Sequence, residues 1–350
     1  MSQRTQIEEL SINTARCLVM DMVRKANSGH TGGALSSLDF TYVLFKEFLT
    51  YDPDNPNWKN RDRFILSAGH ESALLYSMLT FIGWLNTDDL KQFRQLHSRT
   101  PGHPEYKHTP GVEATTGPLG MGIGNAVGMA VAEAVLGNEL SMDVIDHYTY
   151  VLHGDGDIQE PVAQGAIALA GHWGLNKLIA YYDANQVQIS GHVKRSDSTD
   201  VAALYKSHGW HVLEIDGHNL DEIRTALRQA QMEIEKPTVI IGNTVMAKGT
   251  FSKEGSPSTH GSPLSADEIQ ATKEKFGLDS KRSFALPDSV LADFRQGHDY
   301  FRQEVSAWNR KVELKLENDA FKEKWNQAYK PDAVIAGAPY SPGETVATRK

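Results

Sequence analysis

The stretch Tyr148–Asn185, YTYVLHGDGDIQEPVAQGAIALAGHWGLNKLIAYYDAN, predicts two strands joined by a helix. Apolar and aromatic residues dominate 148–152 and 178–182, and a short polar segment follows each of them. Between them, 161–170 carries the alanines, valine and isoleucine of a helical segment. Two strands joined through a helix lie parallel in one sheet, and the helix covers one face of that sheet.

The same alternation continues on both sides of this stretch. One earlier strand is predicted at 64–67, and two later strands are predicted at 212–215 and 238–242. The predicted helices lie at 7–26, 35–48, 74–81, 123–136, near Val201, at 220–234 and over 294–329. This alternation predicts an α/β fold, a parallel sheet flanked by helices on both faces. Ligands bind such sheets at the carboxyl ends of the strands, so the residues after each strand are the candidates for a site.

Composition and charge narrow the class of protein. The 350 residues are 40% hydrophobic, enough for a sizeable core, and carry a formal net charge of −9. No block of lysine or arginine offers a basic surface to nucleic acid or membrane, and no run approaches the ~18 apolar residues of a membrane span. The single cysteine, Cys17, falls in the apolar phase of a helix and predicts a buried thiol in a reducing compartment. We therefore expect a cytoplasmic protein without nucleic-acid or membrane partners.

An acid between two glycines follows the strand at 148–152. Gly154-Asp155-Gly156 stands where a strand gives way to a helix, so its backbone N–H groups can receive an anion such as a phosphate. A carboxylate cannot attract a phosphate directly, but it can hold a divalent cation that does. Asn185, 31 positions after Gly154, would bring an amide oxygen to the same edge of the sheet. A tight turn with a solvated acid is the alternative, and the pairing with Asn185 favours a metal site.

Four histidines that each adjoin glycine in a loop-like context stand out among the 14. They are His30, His70, His103 and His260. Glycine lets a backbone approach a ligand closely, and histidine supplies a hydrogen-bond donor or a base near neutral pH. A single histidine of this kind is more often a structural residue, but four of them favour a binding or catalytic site.

Nine motifs occur in the order found in one enzyme family, and from first to last they span almost the whole chain. They are SGHTGGA, LSAGHESALLYSM, TPGHPE, TTGPLGMGIGNAVGMA, GDGDIQE, YDANQVQISG, DGH, STHGSPL and ATRK. In these motifs the chain resembles the transketolase family. The resemblance implies a thiamine diphosphate-binding fold, and within it the diphosphate-binding domain. It also implies an enzyme that transfers a two-carbon ketol unit from a ketose phosphate to an aldose phosphate.

The resemblance further implies a metal-bound cofactor. Asp155, Asn185 and the backbone carbonyl of Val187 match the family's metal ligands. The backbone amide of Gly156 matches a group that contacts the diphosphate. Thiamine diphosphate and a divalent ion, Mg²⁺ or Ca²⁺, are therefore the implied cofactors.

Two more groups of cofactor contacts are implied by the same resemblance. His70 and His260 match the histidines that contact the diphosphate. The loop of Gly117, Pro118 and Leu119 matches the one that packs around the rings of the cofactor.

Substrate residues are implied as well. His30 and His103 match residues that contact substrate hydroxyls and move protons, and His260 is implied to share in that catalytic work. Arg349 matches an arginine that binds the sugar phosphate group. Glu160, which we group with the cofactor-binding residues, matches an acid in a carboxylate network between the family's two active sites.

Three positions depart from the family's pattern. Thr31 stands where many members have proline, and Glu71 puts a charge where a small or neutral residue is common. Gly165 stands where many members have a second acid of the carboxylate network. The first two departures concern substrate details and the third concerns communication between sites. None of them removes a cofactor ligand.

The resemblance divides the chain into three parts. Residues 1–280 correspond to the diphosphate-binding domain, 281–343 to a helical extension and interdomain linker, and 344–350 to the start of a pyrimidine-binding domain. In the family that domain completes the cofactor site of the other subunit. We therefore expect a truncated enzyme or one subunit of a split one, inactive alone. Its partner would be a second subunit of a homodimer or a separate pyrimidine-domain subunit.

Several functions remain open at this stage, and the leading hypothesis is a transketolase acting on sugar phosphates in the pentose phosphate pathway. Other thiamine diphosphate-dependent enzymes, of the dihydroxyacetone synthase or deoxyxylulose phosphate synthase type, are the first alternative. A noncatalytic cofactor-binding remnant is the second. A nicotinamide-dependent dehydrogenase would need G-x-G-x-x-G directly after a strand, but Gly122-x-Gly124 follows a loop.

Overall fold

The fold is built on a parallel sheet of five strands. The computed structural model describes residues 3–189 and 191–329, with side chains from residue 6 onward. Its strands are β1 (Arg63–Leu66), β2 (Thr149–Gly154), β3 (Leu178–Ala184), β4 (Val187–Gln188), β5 (Gly191–His192), β6 (His211–Asp216) and β7 (Thr238–Asn243). β4 and β5 form a separate antiparallel ribbon, and the other five strands form the sheet. The predicted parallel sheet is confirmed, and each predicted strand agrees with an observed one to within one or two residues at each end.

The strand order is β1-β2-β3-β7-β6, and all four pairings are parallel. β7, the last of the described strands along the chain, therefore lies between β3 and β6. The central strands β2, β3 and β7 are buried along nearly their whole length, whereas the edge strand β6 is partly exposed. Burial on both faces explains why the central strands are near-continuous apolar runs in the sequence.

Helices connect the strands and flank the sheet. In the described part of the chain they are α1 (Gln3–Ala26), α2 (Gly32–Ser36), α3 (Leu38–Val43), α4 (Ser72–Ile82), α5 (Thr87–Leu90), α6 (Met121–Glu139), α7 (Asp155–Ile158), α8 (Pro161–Trp173), α9 (Val201–Ser207), α10 (Leu220–Met232), α11 (Ala266–Lys275), α12 (Asp288–Phe294), α13 (His298–Lys315) and α14 (Asp319–Ala328). α1, α3, α4 and α10 pack on one face of the sheet, and α6, α8 and α9 pack on the other. The predicted covering of both faces is thus confirmed.

The alternation of side chains along β3 separates the two cores. Ile179 and Tyr181 belong to the core beneath α1 and α3, where Tyr181 stacks on Phe40 with ring centroids 3.8 Å apart. Ala180 and Tyr182 belong to the core beneath α6 and α8. Successive residues of a strand point to opposite faces, so Tyr182 and the next residue along the chain reach different surroundings at the end of the strand.

The helix predicted at 35–48 is not continuous. The structure has α2, α3 and a π-helical turn at Leu44–Phe48 in its place. α2 ends at Ser36, whose hydroxyl donates to the Gly33 carbonyl oxygen at 2.8 Å, and Ser37 separates it from α3. Serine side chains that bond to nearby carbonyls compete with helical hydrogen bonds. The hydrophobic period continues across this break, so periodicity alone predicted one helix.

Cys17 lies in α1 inside the larger core and is buried, as predicted. Burial raises the pKa of its thiol to about 12, so the thiol stays protonated at neutral pH. None of the helices in 3–189 and 191–329 is long and apolar enough to cross a membrane.

The last described helices lie beyond residue 280. α12 contributes Val290 and Phe294 to the larger core. α13 and α14 pack instead around Val144 and Ile145, with Trp308 and other aromatic residues. The domain boundary at residue 280 stays a prediction. The predicted linker after residue 329 and the segment 344–350 lie outside the described residues.

Candidate functional site

A cavity of about 360 Å³ opens at the carboxyl edge of the sheet. The segments after β1, β2, β3 and β7, four neighbouring strands, contribute to its walls. It is lined by His30, His70, Glu71, His103, Gly117, Leu119, Gly154, Asp155, Gly156, Asp157, Gln159, Glu160, Asn185, Val187, Gln188, Ile189, Met246 and His260. Parallel sheets bind ligands at this edge, and the volume suits a small-molecule site.

All four predicted histidines lie at this cavity, although up to 230 positions separate them along the chain. His30 precedes α2, His70 lies in the 3₁₀ turn Gly69–Glu71 after β1, and His260 follows the 3₁₀ turn Pro257–Thr259. The ring centroid of His30 lies 4.9 Å from that of His70 and 5.6 Å from that of His260, and the His70 and His260 centroids are 5.3 Å apart. Three imidazoles therefore form one cluster.

His103 reaches the same cavity from the loop before α6. Gly117 packs against its ring, since a Cβ added at Gly117 would lie 3.5 Å from the imidazole. The backbone of Gly117 also has a φ of +146°, which only glycine adopts easily. This glycine therefore lets the loop before α6 pass close to His103.

The four imidazoles are held in the neutral form. Burial lowers the pKa of His30 to about 4, and the charge of Arg94 acts in the same direction. Burial also lowers the pKa of His70, His103 and His260. A neutral imidazole accepts a proton at one ring nitrogen and donates from the other, so the cluster can exchange protons with a polar ligand at neutral pH.

Asp155, at the end of β2, offers an oxygen to a cation. Its Oδ1 accepts a hydrogen bond from the Tyr182 hydroxyl. Its Oδ2 is buried and makes no hydrogen bond of normal geometry within the described residues. An orphaned buried carboxylate oxygen is costly unless a partner satisfies it, and a hard cation is a suitable partner. Burial raises the pKa of this carboxyl to about 7.

Asn185 is oriented by the carboxylate two residues before it. Its Nδ2 donates to Asp183 Oδ2 at 2.6 Å, and its Oδ1 accepts from the Val187 backbone N–H at 2.9 Å. Asp183 is fixed in turn because it also accepts hydrogen bonds from Ser36 and Thr244. The amide oxygen of Asn185 is thus held next to the backbone of Val187, the residue whose carbonyl is the predicted third ligand.

The predicted ligand set is a carboxylate, an amide oxygen and a peptide carbonyl. Within 3–189 and 191–329, no group of three His, Cys, Asp or Glu side chains is arranged to hold a metal ion. Oxygen ligands of mixed type are what Mg²⁺ and Ca²⁺ accept, whereas zinc prefers nitrogen and sulfur. The residues present therefore fit a hard divalent ion.

Asp157 is a residue whose role the sequence analysis missed. Its Oδ1 accepts from Ser67 Oγ at 2.6 Å and from the Gly120 N–H at 2.7 Å, and its Oδ2 accepts from the Gly154 N–H at 3.0 Å. Through these bonds it joins the end of β1, the start of α6 and the end of β2. Asp157 therefore holds the turn that presents Asp155. Its place two positions after Asp155 gives no signal that separates it from an ordinary turn acid.

Most of the remaining predicted cofactor-binding residues lie at the cavity, and one does not. Leu119 covers Gly156, since a Cβ added at Gly156 would lie 2.8 Å from Leu119 Cδ1. Gly117 and Glu160 line the cavity, but Pro118 is exposed and does not. Arg349, predicted for the sugar phosphate, lies outside the described residues.

The three departures from the family's pattern lie in different surroundings. Thr31 is buried, and its hydroxyl donates to the Ser262 carbonyl oxygen at 3.2 Å. Glu71 lines the cavity. Gly165 lies on the outer face of α8, where an added Cβ would meet nothing within 4 Å.

Four other lining residues were not singled out from the sequence. They are Gln159, Gln188, Ile189 and Met246. Met246 follows β7 by three positions, so the rule that ligands meet strand ends could have found it. Gln188 belongs to β4 and Ile189 follows it. A strand of two residues is too short for a sequence pattern to reveal.

Tyr182→Phe should lower the affinity of the chain for a divalent ion by roughly tenfold. Removing a partner that orients a metal ligand typically costs roughly 10–100-fold in affinity, and the Tyr182 hydroxyl is the donor to Asp155 Oδ1. Electron paramagnetic resonance of free Mn²⁺, titrated with protein, measures the affinity. Tyr205→Phe is the matched control, because the Tyr205 hydroxyl is equally buried but pairs with His153 at 2.9 Å. Equal affinities of the two variants would contradict this prediction.

The chain matches the family described as "Transketolase, thiamine diphosphate binding domain" over residues 7–330. A match over more than nine-tenths of the sequence shows that the chain belongs to this family of thiamine diphosphate-binding domains. The family assignment made from the nine motifs is thereby confirmed.

Individual relatives agree with this assignment. The chain is 44% identical to the transketolase of Geobacillus stearothermophilus, with 98% of this chain and 53% of that protein covered. It is 46% identical to transketolase 1 of Vibrio cholerae, with 89% of this chain and 47% of that protein covered. The chain thus spans about half the length of these curated relatives.

Solved structures show the same fold. Transketolase from Campylobacter jejuni superposes with a TM-score of 0.87 at 42% identity, covering 95% of this chain and 51% of that one. Transketolase from Pichia stipitis in complex with sedoheptulose 7-phosphate superposes with a TM-score of 0.85 at 40% identity, covering 92% of this chain and 47% of that one. The predicted fold class is therefore confirmed.

Proposed function

We propose that this chain is the diphosphate-binding part of a transketolase, which transfers a two-carbon ketol unit from a ketose phosphate to an aldose phosphate. The observation that carries the proposal is one cavity holding both four neutral histidines and the unpartnered carboxylate oxygen of Asp155. The Pichia stipitis complex supports sugar phosphates as substrates. The names of the relatives favour transketolase over the dihydroxyacetone synthase and deoxyxylulose phosphate synthase types.

The metal ion would be held by Asp155, Asn185 and the Val187 carbonyl. The free oxygen of Asp155 and the fixed amide of Asn185 suit Mg²⁺ or Ca²⁺. When bound, thiamine diphosphate supplies the carbon nucleophile and the electron sink for the two-carbon unit. The Gly156 amide and His70 would contact its diphosphate.

The cavity histidines would move the protons that the transfer requires. His30, His103 and His260 would contact hydroxyl groups of the sugar, and each is neutral and so able to accept or return a proton. General acid–base catalysis of this kind typically contributes roughly 10²–10⁴-fold. Arg349 would bind the sugar phosphate group.

A second half of the cofactor site would come from a pyrimidine-binding domain, on another subunit of a dimer or on a separate subunit. α6 and α8 pack side by side on one face of the sheet and leave an apolar outer surface. Its exposed members are Met121, Val135, Val162, Leu169 and Trp173, between 42 and 52% exposed. Large exposed apolar patches commonly mark contacts with other proteins.

A purified pyrimidine-domain fragment of a transketolase should tighten the binding of thiamine diphosphate and Mg²⁺ to this chain. Leu169→Glu should reduce that gain by roughly tenfold, because a docked partner would bury the added charge without a counter-charge. Calorimetric titration of thiamine diphosphate, with and without the fragment, measures both effects.

Leu314→Glu is the matched control for this titration. It makes the same change at an exposed leucine of α13, outside the α6 and α8 surface. If the fragment leaves the affinity unchanged, the composite site is excluded. If both variants lose the gain equally, the docking surface lies elsewhere.

Location and pathway follow from this proposal rather than from the cavity. A cytoplasmic enzyme of the pentose phosphate pathway agrees with the single buried cysteine.

A further inference from the structure

The carboxyl group of Glu71 lies buried beside the cavity. Glu71 ends the 3₁₀ turn Gly69–Glu71 and is 3% exposed. Its carboxyl lies against Gly33 of α2, where an added Cβ would stand 2.0 Å from Glu71 Oε1. Any larger residue at position 33 would displace the carboxyl. The glycine and the acid therefore form a matched pair.

Within the described residues, no charged cationic side chain lies at ion-pair distance from the carboxyl of Glu71. Among the described residues, its one neighbour at ion-pair distance is His70, with Nε2 and Oε1 3.9 Å apart. Burial lowers the pKa of His70 far below its usual value, so this imidazole is neutral. In the described part of the chain, the one hydrogen bond to the Glu71 carboxyl is a long one, from Ser37 Oγ at 3.3 Å.

Two nearby carboxyls differ from Glu71 in this respect. Asp157 accepts three hydrogen bonds, from Ser67 and two backbone N–H groups, and Asp183 accepts three from side chains. Burial raises the pKa of both carboxyls, but these hydrogen bonds lower it, so both are better able than Glu71 to stay ionised although they are fully buried. Burial and these two carboxyls raise the pKa of Glu71 well above its usual range.

We propose that Glu71 is a neutral carboxylic acid that donates a hydrogen bond to an anionic oxygen of the diphosphate in this cavity. An ionised carboxylate at this position would repel a diphosphate, whereas a carboxylic acid has an O–H to donate and diphosphate oxygens are strong acceptors. The inference rests on the proposed function, since it assigns a new contact to the same cofactor. It also gives Glu71, the acidic residue that departs from the family's pattern, a role in binding the cofactor.

Calorimetric titration of thiamine diphosphate with Mg²⁺ into the full chain, and into its Glu71→Gln and Glu71→Leu variants, tests the donor. Glutamine keeps a neutral donor of similar shape, so its affinity should stay within about threefold of the unmodified chain. Leucine has no donor and should bind at least ~10-fold more weakly. Affinity equal to the unmodified chain in Glu71→Leu, or tenfold tighter binding in Glu71→Gln, would overturn the proposal.

Infrared difference spectroscopy of the chain against Glu71→Gln reads the protonation state without any cofactor. A carboxylic acid C=O band at neutral pH that disappears in Glu71→Gln is expected, and its absence would overturn the neutral state. This infrared measurement does not depend on the Glu71→Leu variant, so it remains valid if that variant fails to fold. If no form of the chain binds thiamine diphosphate but the band is present, the proposed function fails, and the donor role falls with it. If binding is intact and the band is absent, this inference alone fails.

Discussion

Asp155→Ala is expected to weaken the binding of thiamine diphosphate with Mg²⁺ to this chain by at least ~100-fold. Loss of a residue that merely orients a ligand already costs roughly 10–100-fold, and Asp155 is the one carboxylate in the predicted ligand set. Its Oδ2 makes no hydrogen bond of normal geometry within the described residues, so the substitution removes a cation ligand together with the acceptor of the Tyr182 hydroxyl. Calorimetric titration with thiamine diphosphate at a fixed excess of Mg²⁺ measures the change.

Asp88→Ala is the control for the change of charge. It removes a carboxylate that is 85% exposed, and its ion pair with Lys91 lies on the surface. Circular dichroism of both variants shows whether the fold persists. Unchanged affinity in Asp155→Ala would exclude the metal site. If the unmodified chain fails to bind even with a pyrimidine-domain fragment, the noncatalytic remnant becomes the better reading.

Gly122→Ala is expected to destabilise the chain by about 3 kcal/mol, the upper end of the usual cost of overpacking. An added Cβ at Gly122 would lie 2.4 Å from Ser67 Cα and 2.7 Å from Ser67 Oγ. The first of these atoms belongs to the backbone at the end of β1, so it cannot move aside as a flexible side chain would. The start of α6 would have to shift, and with it the Gly120 N–H that binds Asp157.

Gly128→Ala, two turns further along α6, is expected to have the opposite sign. An added Cβ there would meet nothing within 4 Å, so the substitution removes only the entropic cost of a helical glycine and stabilises by roughly 0.5–1 kcal/mol. Urea denaturation of both variants measures the free energies of unfolding. Equal effects of the two substitutions would show that α6 does not pack on β1 as described.

The sheet and the convergence of His70, Asp155 and Asn185 could be predicted from the sequence for a common reason. Strands that alternate with helices leave little choice of topology, and parallel strands bring their carboxyl ends to one edge. His70, Asp155 and Asn185 each follow a strand closely, so their convergence in the cavity follows from the fold. The roles of individual residues at the cavity came from the family resemblance, because spacing alone does not separate a catalytic histidine from a structural one.

The residues that support the site could not be predicted in this way. In the sequence, Tyr182 occupies an apolar strand position, and Asp183 and Asp157 resemble the acids that are common in turns. Their functions depend on distances between segments far apart in the chain, such as the bond between Asp183 and Ser36 across 147 positions. Glu71 was recognised only as a misplaced charge, because its partner Gly33 precedes it by 38 positions and only the folded chain brings them together.

The position of β7 between β3 and β6 determines the order in which the strands of the sheet can pair during synthesis. β1, β2 and β3 can pair as each is made, but β6 then has no partner, because within the described strands it pairs with β7 alone. The buried strand β3 therefore keeps an open, apolar edge until residue 243 has been made. Open edges of this kind recruit other chains. While the ribosome adds the 59 residues between β3 and the end of β7, the nascent chain is therefore open to aggregation through this edge.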